Sequence, residues 1–195
     1  MTDRPAFEGF KRMPKKPTQP FGTINFSKDG KVRPDIKRLS EDRVEQQKGA
    51  IDIIAEQFGR TVRPITDIIQ LPETGHDFRA TCEGNAVIIQ LTELVSRNFH
   101  DPVTFLVDLE AESAALANSV SGKLDKHYAK PKASKFWLVI FSTYAYATEY
   151  WQGGVKKYSR GLVNARGILA SRSDNPFDEV WFSDLVTTPV RIFPT

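Results

Sequence analysis

Polar side chains set in an apolar strand are the natural place to look for chemistry in this chain. Residues 86–94 read AVIIQLTEL, and alternate residues of a strand share a face. Ile88, Gln90 and Thr92 therefore point one way, while Val87, Ile89 and Leu91 point the other. An amide and a hydroxyl on so apolar a strand are costly unless something satisfies or uses them. A second alternating segment, Asp77 to Cys82, precedes a turn at Glu83-Gly84-Asn85. Gly-Asn supplies the positive φ angles of a tight turn, so the two segments read as a hairpin that brings the Asp77 carboxylate toward Gln90 and Thr92. Glu93 falls on the opposite face. The plainer reading is a cap or turn role for Asp77, with Gln90 and Thr92 facing solvent.

Other constellations carry less. His76 beside Asp77 and His100 beside Asp101 invite a metal or acid/base reading, but three scattered histidines do not make a ligand set, and loop positions explain them. Cys82 sits on an apolar strand face, where a thiol is core packing. As the only cysteine it excludes an internal disulfide and a cysteine-built zinc cluster. Gly153-Gly154 lacks the spacing of a phosphate loop. Tyr144, Tyr146, Tyr150 and Trp151 lie close to Lys156 and Lys157. Such aromatics stack bases beside a phosphate-binding surface or form a protein interface, and the interface is the favoured of the two.

The elements that must position these residues follow from periodicity. Ser40 reads as a helix N-cap with Glu41 and Asp42 in the first turn, where the helix dipole favours acids. Val44, Ile51, Ile54, Ala55 and Phe58 fall near one helical face, and Gly59 is the expected stop. A connection through Pro64 and Pro72 leads to the hairpin. Residues 106–129 repeat apolar side chains at helical spacing, and Pro131 ends them. Phe136 to Ser142, FWLVIFS, is a continuous apolar run suited to a central strand buried on both faces. A third helix is expected within 148–170, with Val155, Leu162, Val163 and Leu169 inward and Lys156, Lys157, Arg160 and Arg166 mostly outward. Strands are expected at Asp178 to Ser183 and at Val190 to Phe193. Helix, hairpin, helix, strand, helix, strand predicts an α/β domain with a mixed central sheet and helices on both faces.

The 195 residues suffice for one buried core, assigned to 39–195. Residues 1–38 form a separate arm, with ten Lys or Arg against four Asp or Glu; the rest holds 17 basic and 20 acidic residues. The arm's net +6, which includes Lys11, Arg12, Lys15 and Lys16, is an electrostatic handle for nucleic acid or simply a solvated tail. Five prolines exclude regular helix over most of it, and an extended course with a short hairpin from Gly22 to Val32, turning at Lys28-Asp29-Gly30, is expected. Phe7, Phe10, Phe21, Ile24 and Phe26 are available to pack on the domain, on a second copy or on another protein partner. The longest apolar run, Phe136 to Phe141, is far short of the ~20 residues of a membrane helix. With no signal-peptide pattern at the N-terminus, a cytoplasmic location without membrane association is expected.

The hairpin and the elements around it resemble the PD-(D/E)xK, or restriction-endonuclease-like, superfamily over about residues 40–193. In that family an acid starts one hairpin strand and a (D/E)-x-K triplet lies on the next; the corresponding residues are Asp77 and Gln90-Leu91-Thr92. The preceding helix offers Glu45 as the extra acid of some members. The segment SGKLDKHY at 121–128 followed by FWLVIFS is similar to the family's helix-then-strand continuation, and NPFDEVWF at 175–182 resembles the last strand of several bacterial proteins of this fold. The resemblance implies Asp77, Gln90 and Glu45 as ligands of Mg²⁺, a hard cation that prefers oxygen donors and stabilises the charge of phosphoryl transfer. It implies catalytic positions at Asp77, Gln90, Thr92 and, as a migrated lysine, Lys123. Two departures weaken the pattern: an amide replaces a carboxylate at Gln90, and Thr92 cannot stand in for a cation. Three functions follow: a metal-dependent nuclease, a nucleic-acid binder of the same fold that has lost catalysis, and an interaction or assembly protein. In the first two, Lys11, Arg12, Lys15, Lys16, Lys156, Lys157 and Arg160 are the expected phosphate contacts.

Overall fold

A computed structural model describes residues 21–26, 32–40, 42–72, 75–95, 109–143, 149–152 and 155–195. The element order is β1 (Phe21–Phe26), β2 (Val32–Lys37), α1 (Arg43–Thr61), β3 (Ile65–Gln70), β4 (Phe78–Cys82), β5 (Asn85–Glu93), α2 (Leu109–Leu124), β6 (Lys135–Phe141), β7 (Glu149–Gln152), β8 (Val155–Tyr158), α3 (Arg160–Ser171), β9 (Glu179–Ser183) and β10 (Val190–Phe193). Six strands form one mixed open sheet in the order β10-β9-β6-β5-β4-β3. The β3-β4-β5 meander is antiparallel, β5, β6 and β9 run parallel, and β10 returns antiparallel to β9.

Strand alternation divides the core in two. Ile51, Ile54 and Phe58 of α1 share one apolar cluster with Val87, Ile89, Leu91, Trp137 and Val139. Leu116 and Val120 of α2 and Leu162 and Leu169 of α3 share the other with Phe136, Leu138, Ile140 and Phe182. The run FWLVIFS thus supplies both clusters from alternate residues, which explains why it carries no polar period.

Several expectations need correction. Asp42, not Ser40, caps α1: its Oδ1 accepts from Val44 N at 3.0 Å and Glu45 N at 3.2 Å, while Ser40 Oγ accepts from Asp42 N. Gly59 does not stop the helix, which runs on to Thr61. Val44 and Val163, expected inward, are about half exposed. The Pro64–Pro72 connection is an edge strand, β3. A register shift between Thr66 and Ile69, with Asp67 at φ 51°, breaks the alternation that would have announced it. The helix expected over 148–170 begins only at Arg160, capped by Ser159; Val155, Lys156 and Lys157 belong to β8, paired antiparallel with β7. The α2 helix is shorter than expected at its C-terminal end, and 106–108 lie outside the described residues. The N-terminal ribbon pairs Phe26 with Val32 and forms its own two-stranded sheet; the turn at Lys28-Asp29-Gly30 lies outside the described residues.

The cluster that packs on α1 meets a partly buried ion pair just beyond the C-terminal end of that helix. Arg63 bonds Glu179 of β9, which also accepts from Trp181 Nε1 at 2.8 Å, and the guanidinium lies 4.8 Å from the Trp137 ring centroid. Removing one partner of such a pair leaves an uncompensated buried charge. Arg63→Met is therefore expected to destabilise the fold by about 3 kcal/mol, read as a drop in the denaturant midpoint; a loss within experimental error would contradict this placement.

Candidate functional site

The hairpin register sets the site. Phe78 pairs with Ile89, so Asp77 stands just before the ladder begins, opposite Gln90. There β5 continues while β4 has not yet started, and the N–H of Leu91 needs an acceptor. Asp77 supplies it: Oδ2 accepts from Leu91 N at 2.7 Å and also from Gln90 Nε2. Gln90 is buried, and its Oε1 has no hydrogen-bond partner. On the other face of β5, as alternation requires, Glu93 accepts from Gln46 Nε2 of α1 at 3.2 Å.

Asp77 also lines a cleft of about 370 Å³. Arg43, Val44 and Gln47 of α1 form one wall, Gln70 and Leu71 at the end of β3 another, and Gly75 and His76 lead into Asp77. His76, expected in a surface loop, is half-buried: its ring stands edge-on to Phe136 at 4.9 Å, and Nδ1 is buried with no partner. Tyr128 lies between His76 and Phe177. Burial pushes its phenol up, and the Asp77 charge adds to the rise.

Lys123, in the last turn of α2, is outside the cleft wall but within electrostatic reach of Asp77 and Arg43. Burial pushes its ammonium down to about 8; Lys126 deepens the fall, Asp77 opposes it and Arg43 deepens it again. The charges acting on Lys123 are thus two cations and one carboxylate. Of the residues assigned to the site from sequence, Asp77 and Gln90 come together and Lys123 joins them electrostatically. Thr92 shares the face of Gln90 but not its bond to Asp77. Glu45 is exposed on the first turn of α1 and is not part of the cleft wall. Lys11, Arg12, Lys15 and Lys16 lie outside the described residues, as do His100 and Asp101. Lys156 and Lys157 stand on β8, and Arg160 is the exposed first residue of α3. Cys82 is buried, and burial raises its thiol.

The donor set does not fit Mg²⁺. Among the described residues no group of three or more His, Cys, Asp or Glu side chains is placed to hold a metal ion. At Asp77 one carboxylate oxygen already accepts two N–H groups, and the Gln90 atom turned toward it is a donor. A hard divalent cation needs several oxygen ligands.

Arg43 and Lys126 were not anticipated. Arg43 had a signal: a cation at the first position of a helix opposes the macrodipole, so its presence after the Asp42 cap calls for another reason. Lys126, just beyond α2, acts on Lys123 and is not part of the cleft wall. Comparison of the chain with protein-family models, curated proteins and solved structures gives no match. The nuclease-like reading rests on the residues and on the order of the elements.

The Lys123 shift has a sign that can be measured. Its folded value, about 8, lies below the ~10.4 of an unfolded lysine. Between these values the unfolded chain binds the extra proton, so this group's contribution to stability rises with pH, and below about 8 its charge is a burden on the fold. Lys123→Met is expected to raise the melting temperature at pH 7, with the advantage shrinking toward pH 10. A lower melting temperature at pH 7, or an advantage independent of pH, would contradict this.

Proposed function

We propose that this is a nuclease-related nucleic-acid-binding protein that does not cleave. In this reading it has restriction-endonuclease-like architecture, with helices on both faces of its sheet and a metal site that has been lost. The observation that carries the proposal is the state of Asp77. The acid that would hold a metal instead accepts from Gln90 and Leu91, and Arg43 stands with it in the cleft wall. The order helix, meander, helix, parallel strand supports the family side of the reading. Cations without a metal at such a cleft favour attraction of phosphates over hydrolysis, and the basic arm adds sequence-independent affinity.

A second reading is a non-catalytic interaction or assembly protein of the same fold. It is favoured by the β1-β2 ribbon, which pairs with itself rather than with the six-stranded sheet. Fluorescence anisotropy with single- and double-stranded DNA and RNA separates the two. Nucleic-acid binding without Mg²⁺ is expected at low salt. Replacing Lys11, Arg12, Lys15 and Lys16 by Gln should weaken it and reduce the slope of log affinity against log salt by about 3. Silence at low salt, where electrostatic attraction is strongest, would leave only the interaction reading. Mg²⁺-dependent cleavage abolished by Asp77→Ala would contradict the loss of the metal site.

A further inference from the structure

We propose that the cleft between the start of α1 and the end of β3 binds a short zwitterion, a free α-amino acid or a dipeptide, with its carboxylate on Arg43 and its ammonium on Asp77. The proposal does not rest on the nucleic-acid reading, in which the basic arm supplies the affinity. Its first support is a pair of opposite charges that line one cleft and do not pair with each other. Arg43 and Asp77 both stand in the wall. Among the described residues, the Arg43 side chain takes part in no hydrogen bond or ion pair, and Asp77 uses only Oδ2, on Gln90 and Leu91. A guanidinium with its fork of donors and a carboxylate oxygen with open lone pairs thus border the same space. The lining is balanced, one cation against one carboxylate. A ligand of a single charge would set that charge against its like on one side, whereas a zwitterion engages both groups in charge-assisted hydrogen bonds.

The second support is the open edge of the sheet. The outermost strand is β3; its ladder pairs Gln70 with Phe78, and Leu71 N bonds Asp77 O at 2.9 Å. Bonded and unbonded pairs alternate along an antiparallel ladder. The N–H and C=O of Gln70 therefore point away from β4, at the edge beside the cleft that Gln70 lines. An amino acid or dipeptide can meet those main-chain groups in the manner of an added strand. A longer peptide cannot, because the register shift between Thr66 and Ile69 breaks the edge just before Gln70. Size and polarity agree. About 370 Å³ is near the lower limit of small-molecule sites. Val44, half exposed, and Leu71 give the cleft an apolar patch for a side chain such as that of leucine.

The full-length chain is titrated, by calorimetry and by amide chemical shifts, with L-leucine, leucyl-leucine, isocaproate and isoamylamine. The last two are leucine without its ammonium and leucine without its carboxylate. One of the two zwitterions is expected to bind roughly ten-fold more tightly than either singly charged compound. Arg43→Gln and Asp77→Asn should each remove most of that advantage, while Arg60→Gln, at the far end of α1 and paired with Glu56, should keep it. Asparagine retains an oxygen for Leu91 N, and thermal melts establish that each variant is folded. Tighter binding of L-leucine would assign the cleft to free amino acids, and tighter binding of leucyl-leucine to short peptides. No shift with either zwitterion at about 10 mM, where a millimolar site is mostly filled, would overturn the proposal. Equal binding of the singly charged compounds, or binding unchanged by Arg43→Gln, would overturn it too.

Discussion

A backbone N–H on a buried strand must find an acceptor even where its neighbouring strand has not begun, and this constraint explains the acids around the sheet. Asp77 stands before β4 and accepts from Leu91 N of β5. Asp178 stands before β9 and accepts from Phe136 N of β6 at 2.8 Å, with Lys130 Nζ on its other oxygen at 2.6 Å. At the opposite end of β9, Asp184 accepts from Val186 N and Thr187 N. Asp77 and Asp178 each extend a ladder by one bond, and Asp184 closes a turn with two. The plain structural role weighed against catalysis for Asp77 is therefore a real one. Function at this site has to be built from what surrounds the carboxylate as well as from the carboxylate itself.

What surrounds it is cationic and partly buried. Lys123 is held where burial and two like charges disfavour its ammonium, with Asp77 alone in its support. A protein under selection only for stability has little reason to keep a lysine there, since apolar side chains of similar length fill such positions at lower cost. Strong perturbation combined with a cleft is the usual physical mark of a working group. The orphaned Nδ1 of His76 and Oε1 of Gln90 belong to the same neighbourhood.

The sequence exposed those parts of the molecule that depend on local chemistry. The tight turn expected at Glu83-Gly84-Asn85 sets the hairpin register, although its positive φ angles fall on Glu83 and Gly84 rather than on Gly84 and Asn85, which already pairs with Cys82. The run FWLVIFS declared a strand buried on both faces. Strand β3 escaped because its bulge at Asp67 removes the two-residue period. The β7-β8 ribbon escaped because Val155, Leu162 and Leu169 match a helical period by coincidence. Arg43 and Lys126 could not be assigned to the site from periodicity, because tertiary packing alone brings the first turn of α1 and the end of α2 to Asp77.

The central claim is that Asp77 accepts from Gln90 and Leu91 instead of ligating a metal, and diffraction from crystals soaked in Mn²⁺ tests it most directly. Manganese takes the oxygen ligands that suit Mg²⁺ and is visible by its anomalous signal. The expected map has no anomalous peak at the Asp77 carboxylate and retains the Gln90 Nε2 contact. A peak bridging Asp77 and a turned-over Gln90 Oε1 would contradict the account.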